Sequence, residues 1–277
     1  MSAIGAEARS FGFSAYLICL KGIVWRESLR FLHQRERFVS ALVRPLVWLF
    51  IFAAGFRQTL GVSIIPPYET YVLYDVYITP GLMAMIQLFN GMQSSLSMVY
   101  DREMGSMRML LTSPAPRWFL LTSKLLAGVA VSILQVYAYL VIAYFWEIEP
   151  PTFWGYVTVL PALVLSGLML GALGMVLSSL IRQLENFAGV MNFVIFPMFF
   201  ASSALYPLWR VREGSPWLAT ICELNPFTHA VELIRFAFYG KIEPVSLAVV
   251  VGCTVAFLGA AIVAYDPARG VLMRRGG

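Results

Sequence analysis

Five stretches of this chain, residues 76–100, 125–146, 150–181, 186–209 and 244–265, contain no charged side chain. Each matches or exceeds the roughly 20 residues an α-helix needs to cross the hydrocarbon of a bilayer. In that solvent every backbone polar group must be satisfied internally, which leaves helices or closed barrels, and runs this long and apolar read as helices. A sixth stretch, 38–56, is interrupted only by Arg44 near its start, where a long side chain can reach the headgroups. The composition agrees: 59% of the 277 residues are hydrophobic and 13% charged, against about 45–50% and about 25% in a soluble domain. The expected fold is an all-α integral membrane protein with six transmembrane helices.

An even number of spans puts both ends on one side, and the Lys/Arg bias says which. With the N-terminus inside, 15 of the 20 basic residues fall on inner segments, and the outer ones carry acidic pieces such as Glu147 and Glu149. Both termini are therefore expected in the cytoplasm. The Arg-studded first forty residues lack the pattern of a cleaved leader, and a bacterial inner membrane is the expected location. Residues 1–37 form a cytoplasmic N-terminal segment, 38–266 the transmembrane domain and 267–277 a basic tail. Within the first segment, residues 11–37 carry Arg26, Arg30, His33 and Arg37 on one helical face and Tyr16, Leu20, Val24 and Phe31 on another. Such a helix lies along the membrane interface against anionic lipids, or packs as a solvated helix on a partner. Residues 210–243 are too polar to cross and too apolar for a plain loop; they are expected to form short helices that re-enter the outer leaflet before the last span.

The longest inner connection, 101–117, is charged and broken by Pro114 and Pro116. On a helical projection Met104, Met107 and Leu111 face one way and Asp101, Gly105, Arg108 and Thr112 the other. This is a short amphipathic helix beneath the membrane. It either docks on another protein, for which flexible methionines suit it, or caps two spans as an interfacial loop. Its residues carry a resemblance: Glu103, Met104, Gly105, Ser106, Arg108, Leu110, Leu111, Thr112, Ser113 and Pro114, ending in Lys124, are similar to the E-x-G-[ST]-x-x-x-L-L-x-[ST]-P…K pattern of ABC-2 type transporter permeases. FPMFFASSALYPL (196–208) resembles the end of that family's fifth span, and LNPFTHAVELIRFAFYG (224–240) the segment before its last.

The resemblance implies a permease that pairs as a homodimer and binds two cytosolic ABC ATPase subunits, each receiving the coupling helix at 101–113. Arg102, Glu103, Met104, Gly105, Met107, Arg108 and Leu111 would make or support that contact. The chain has no G-x-x-x-x-G-K-[ST] run to cradle phosphates, so ATP and Mg would be bound by the partner, and this chain is expected to hold no cofactor and no metal. The implied function is ATP-driven movement of a substrate, with export of an amphiphile, a glycan or lipid-linked glycan, or a drug-like molecule as the expected cargo.

Two sets of residues are candidates for the path. Gln87, Asn90, Ser94 and Ser97 recur at helical spacing in the second span; they either line a passage between protomers or hydrogen-bond neighbouring helices. Phe193, Phe196, Phe199 and Phe200, leading to Tyr206 and Pro207, either form an aromatic plug at the outer end or pack in the core. Gly167, Gly171 and Gly174 form a small-residue packing face. Glu232 and Arg235 read as a structural pair. The basic balance could suggest nucleic acid, but arginines flanking apolar spans are explained by orientation, so no nucleic-acid partner is expected. A secondary transporter or passive channel is the alternative, although a secondary transporter places ionisable groups or broken helices at membrane depth. With only His33 and His229, and no cluster of acids, no enzyme is expected.

Overall fold

The computed structural model describes residues 13–33, 35–56, 66–103, 116–181 and 184–265. Among them the regular structure is helical: α1 (Phe13–His33), α2 (Arg35–Phe56), α3 (Tyr74–Glu103), α4 (Arg117–Tyr144), α5 (Gly155–Leu180), α6 (Leu184–Phe200), α7 (Leu208–Gly214), α8 (Pro216–Leu224), α9 (Pro226–Phe238) and α10 (Pro244–Ala264). Three are long and apolar enough to cross a membrane: Trp118–Tyr144 within α4, all of α5 and all of α10. Of the other expected spans, α2 and α6 contribute shorter apolar pieces, Leu42–Ile51 and Gly189–Phe200. Helix α3 has the length, but it carries Gln87, Asn90 and Gln93.

Proline sets many of the helix starts. Pro116 and Pro207 precede α4 and α7, and Pro216, Pro226 and Pro244 occupy the first turn of α8, α9 and α10, where the missing N–H costs nothing. Helix α9 ends at Phe238 and the chain turns away at Gly240, whose φ of 66° is open to glycine without strain. There the N–H of Gly240 bonds Ala237 O at 3.0 Å and that of Lys241 bonds Phe236 O at 2.9 Å, closing the last turn.

The long helices alternate in direction. At one end Met98 of α3, Leu121 and Leu125 of α4, Met175 of α5 and Ala261 of α10 share a cluster, closed by Tyr265 hydroxyl against Ser178 Oγ at 2.8 Å. At the other end the start of α3, the start of α5 and the end of α6 meet α9, through Tyr77 with Arg235, Thr158 with Ala237 O and Phe199 with Phe227. Helix α2 runs with α4, its Phe50 against Trp146 at 4.6 Å and its Trp48 against Phe199 at 5.9 Å. Helix α3 is the hub, touching α2, α4, α5, α6 and α9. Lipid tails are as apolar as leucine, so close backbone approach must substitute for hydrophobic exclusion between helices. The expected glycine face provides it: a Cβ on Gly91 would sit 2.9 Å from Gly171 Cα, and one on Gly174 would sit 2.8 Å from Gly91 O.

Several boundaries differ from expectation for physical reasons. The expected interfacial helix and first span meet at His33 and Arg35 rather than at residue 37. Helix α4 begins eight residues before the uncharged run, because Arg117 and Lys124 lie in its first turns without breaking it. Helix α6 stops at Phe200, nine residues short of the uncharged run, because Pro197 and the serine-rich turn that follows leave carbonyls to be satisfied from elsewhere. Helix α1 does not lie alone: Tyr16 packs on Trp118 and Phe119 of α4 at 6.5 and 4.8 Å.

Candidate functional site

The polar residues of α3 divide between faces. Gln87 is 1% exposed and ties α3 to α5; its Nε2 donates to Leu163 O at 2.7 Å, and its Oε1 accepts from Ser166 Oγ at 2.6 Å. Ser94 lies beside Gly128 of α4 and lines a small internal void with Gln87, Gly91 and Lys124. Ser97 is exposed and bonds Ser94 O at 2.7 Å. Asn90 turns elsewhere: its Nδ2 donates to Ile86 O at 2.9 Å and to Gln135 Oε1 on α4. The geometry thus does not gather Gln87, Asn90 and Ser94 on one open surface.

The aromatic set divides as well. Phe199 is 1% exposed and packs among Trp48, Phe200 and Phe227. Phe193, Phe196 and Phe200 lie on the exposed face of α6, with Phe196 and Phe200 stacked at 6.2 Å. Tyr206 is half-buried, and its hydroxyl donates to Phe200 O.

The turn after α6 is held by a clamp of side chains onto backbone. Asn225 caps α9 by accepting from Phe227 N at 2.9 Å, while its Nδ2 donates to Met198 O at 2.8 Å and Ala201 O at 2.7 Å. Arg235, 3% exposed, pairs with Glu232, donates to Ser203 O at 2.8 Å, and lies 4.2 Å over the Tyr77 ring. Tyr77 hydroxyl also donates to Ser203 O at 3.0 Å, and Tyr74 hydroxyl to Leu205 O at 2.6 Å. Burial alone would pull the Arg235 guanidinium's pKa down, but Glu232, then Tyr77 and Tyr68, outweigh it and the net direction is up. The group is charged across the physiological range. Burial pushes Tyr239, at the end of α9, up to about 12 against the opposing pull of Arg235. Outside this knot, Lys241 Nζ meets Glu69 at 2.8 Å and holds that carboxyl below the usual carboxylate range. His229 is also placed structurally, its Nε2 3.0 Å from Glu223 O.

A shallow cleft opens between α2 and α3, lined by Arg44, Pro45, Met85, Phe89, Asn90 and Gln93. The Arg44 guanidinium lies 3.7 Å over the Phe89 ring. Phe89 is midway along the 30-residue α3, about 22 Å from its start and about 21 Å from its end at 1.5 Å per residue. Cation–π stacking holds the Arg44 guanidinium level with that midpoint.

Of the expected coupling residues, Arg102 and Glu103 form the last turn of α3, which runs unbroken from Tyr74. Met104, Gly105, Met107, Arg108 and Leu111 lie outside the described residues, as does the tail from 266 onward. Among the described residues no three His, Cys, Asp or Glu side chains gather as a metal site.

Residues 19–239 match the family described as "ABC-2 type transporter". The chain belongs to this family. It is 28% identical over 204 residues to the "Putative transport permease ycf38" of Cyanophora paradoxa, covering 72% of this chain and 67% of that one. It is 29% identical over 171 residues to the "Probable multidrug ABC transporter permease YbhR" of Escherichia coli, covering 61% and 45%. A shorter match, 34% over 86 residues, covers 31% of this chain and 32% of "Nodulation protein J" of Neorhizobium galegae. A transport role follows for this ABC-2 chain, whose family consists of transporter permease subunits that are generally not enzymes.

For an ABC-2 chain, the clamp gives a physical sense to two sequence motifs that otherwise look unrelated. The carbonyls of Met198, Ala201 and Ser203 receive the side chains of Asn225 and Arg235, so each motif is half of one junction. Sequence reasoning singled out the Glu232–Arg235 pair but not its target, nor Tyr74 and Tyr77, because backbone acceptors leave no mark on residue identity. Gln135 and Gln93 were also missed. A glutamine inside an otherwise apolar run was the available signal.

Proposed function

We propose that this chain is the membrane-spanning subunit of an ATP-driven exporter, crossing the bacterial inner membrane six times with residues 1–37 and 267–277 in the cytoplasm. In this reading α2 to α6 and α10 are the spans, α1 lies at the inner interface against lipid, and α7 to α9 re-enter the outer leaflet. Two copies pair around a path, and each receives a separate cytosolic ATPase subunit, which binds ATP and Mg, at 101–113. Arg102, Glu103, Met104, Gly105, Met107, Arg108 and Leu111 carry that contact. The path runs past Asn90 and the exposed aromatic face of Phe196 and Phe200, with Phe199 and Tyr206 bracing it from behind.

The observation that carries the proposal is the continuity of α3. One helix leads from the clamp at Tyr74 and Tyr77 to Glu103 at the threshold of the docking segment, and α4 resumes at Arg117. From Glu103 back to Gly81 no proline interrupts α3, so a push delivered between them by a closing ATPase pair is carried along the helix as far as Pro80, just short of the clamp residues. An amphiphile suits the aromatic face better than a small ion does. The names of the relatives, one for multidrug transport and one for nodulation, point to unlike cargo, so neither supplies the substrate here. Reconstitution tests the reading: vesicles holding this chain with its ATPase subunit should move a fluorescent amphiphile only with hydrolysable ATP, and vesicles with this chain alone should not. Transport by the chain alone would favour the secondary-transporter alternative and overturn the proposal.

A further inference from the structure

Arg44 is an unusual residue for its position. Its guanidinium stacks on Phe89 midway along α3, it is exposed on the protomer surface, and among the described residues no carboxylate pairs with it. Under the six-span reading, on which this inference rests, that height is the middle of the bilayer. An ionisable group at such depth marks a functional site by default, because an uncompensated charge there is selected against. The ring beneath fixes the plane of the guanidinium and leaves its N–H edge as a rigid fork, a geometry that matches phosphate or carboxylate.

The surroundings extend the match. Gln93 shares the cleft and has donors to add. Asn90 has its amide nitrogen engaged by Ile86 and Gln135, so it presents its carbonyl oxygen, an acceptor suited to a hydroxyl beside an anion. Behind it Gln135 is wholly buried, and its Nε2 has no hydrogen-bond partner. One turn along α2 from Arg44, Trp48 packs on Phe200, which stacks on Phe196. A fork for an anion therefore adjoins an aromatic wall, on the same side of the bundle and at neighbouring heights.

We propose that Arg44, with Gln93, binds the phosphate or carboxylate head of an amphiphile whose tail lies along Trp48, Phe196 and Phe200, with Asn90 accepting from a hydroxyl beside that head where the ligand carries one. The full chain in phosphatidylcholine nanodiscs, titrated with a pyrene-labelled dodecyl phosphate and read by energy transfer from tryptophan, tests this. The phosphate should bind about 10- to 100-fold more tightly than the matched alcohol, the range of one or two charge-assisted hydrogen bonds. Arg44→Gln should erase that preference while leaving the tail-driven affinity of the alcohol, and Arg44→Lys should retain part of it. Unlabelled dodecanoate should compete. Displacement by phosphatidylglycerol added to the disc would assign the site to a resident lipid, and its failure to displace would assign it to cargo; either keeps the anion chemistry.

Equal affinity for phosphate and alcohol, or an unchanged preference in Arg44→Gln, would overturn the proposal. So would competition by inorganic phosphate as strong as by the alkyl phosphate, since the tail would then contribute nothing. Separation of paired copies by Arg44→Gln with binding intact would make Arg44 an interface group and would also refute it. No ATPase subunit enters this assay, so a failure of ATP-driven transport and a failure of anion binding are read separately.

Discussion

Replacing Arg235 by alanine should destabilise the chain more than any other single truncation in the outer clamp. The side chain is 3% exposed, and its removal strands the Glu232 carboxylate, 21% exposed, without its counter-ion. Breaking a buried pair from one side costs about 3–5 kcal/mol. The lost stack on Tyr77, at 4.2 Å, contributes up to about 2 kcal/mol of this when desolvated. Ser203 O is not orphaned, because Tyr77 hydroxyl still donates to it at 3.0 Å, so the lower part of the range, about 3 kcal/mol, is expected. Unfolding in mixed dodecyl sulfate micelles, followed by circular dichroism, measures the loss. Adding Glu232→Gln to the Arg235→Ala background removes the stranded charge and should restore about 1–2 kcal/mol, a coupling typical of residues in contact. A loss below about 1 kcal/mol for Arg235→Ala, or strict additivity of the two changes, would refute the claim that this pair holds the turn.

Other substitutions test separate parts of the fold. Gly91→Ala would place a Cβ 2.9 Å from Gly171 Cα; backbone cannot yield as a side chain can, so a loss of about 1–3 kcal/mol is expected in the same micelle titration. Glu147 holds φ at 60° after α4, and Glu147→Gly should leave stability unchanged or raise it by up to about 1 kcal/mol, with a clear loss counting against a strained turn. The Glu69 carboxyl has its pKa lowered by Lys241, so its contribution is present above the ordinary carboxylate range and disappears as pH falls through the lowered folded value. Melting temperatures between about pH 6 and pH 3 should fall more in wild type than in Glu69→Gln, and parallel curves would deny the pair any role.

Much of the helical layout was legible because lipid allows so few solutions: the uncharged run 244–265 became α10 almost residue for residue, and the run 150–181 became α5 from Gly155 to Leu180. Ends were read well where a proline opens the apolar run, as at Pro244, and poorly where tertiary contacts set them, as at Phe200. The polar stripe of α3 shows the limit of periodicity. Residues 87, 90 and 94 share a helical face on paper, yet neighbours on two sides take Gln87 into α5 and leave Asn90 toward α2. Which polar residue is a strut and which an open surface depends on partners that a single helix pattern does not contain. Arg44 shows the converse: its charge was plain, but its height depended on Phe89, 45 residues away.

In the proposed mechanism force enters at residues 101–113. A photoreactive amino acid placed at Arg108 in living cells measures this most directly. We predict a cross-link from position 108 to a soluble subunit that carries a phosphate-binding loop, weakened when Glu103→Ala is added to the labelled chain. Labelling of position 108 by a membrane-impermeant reagent from outside intact cells would contradict it.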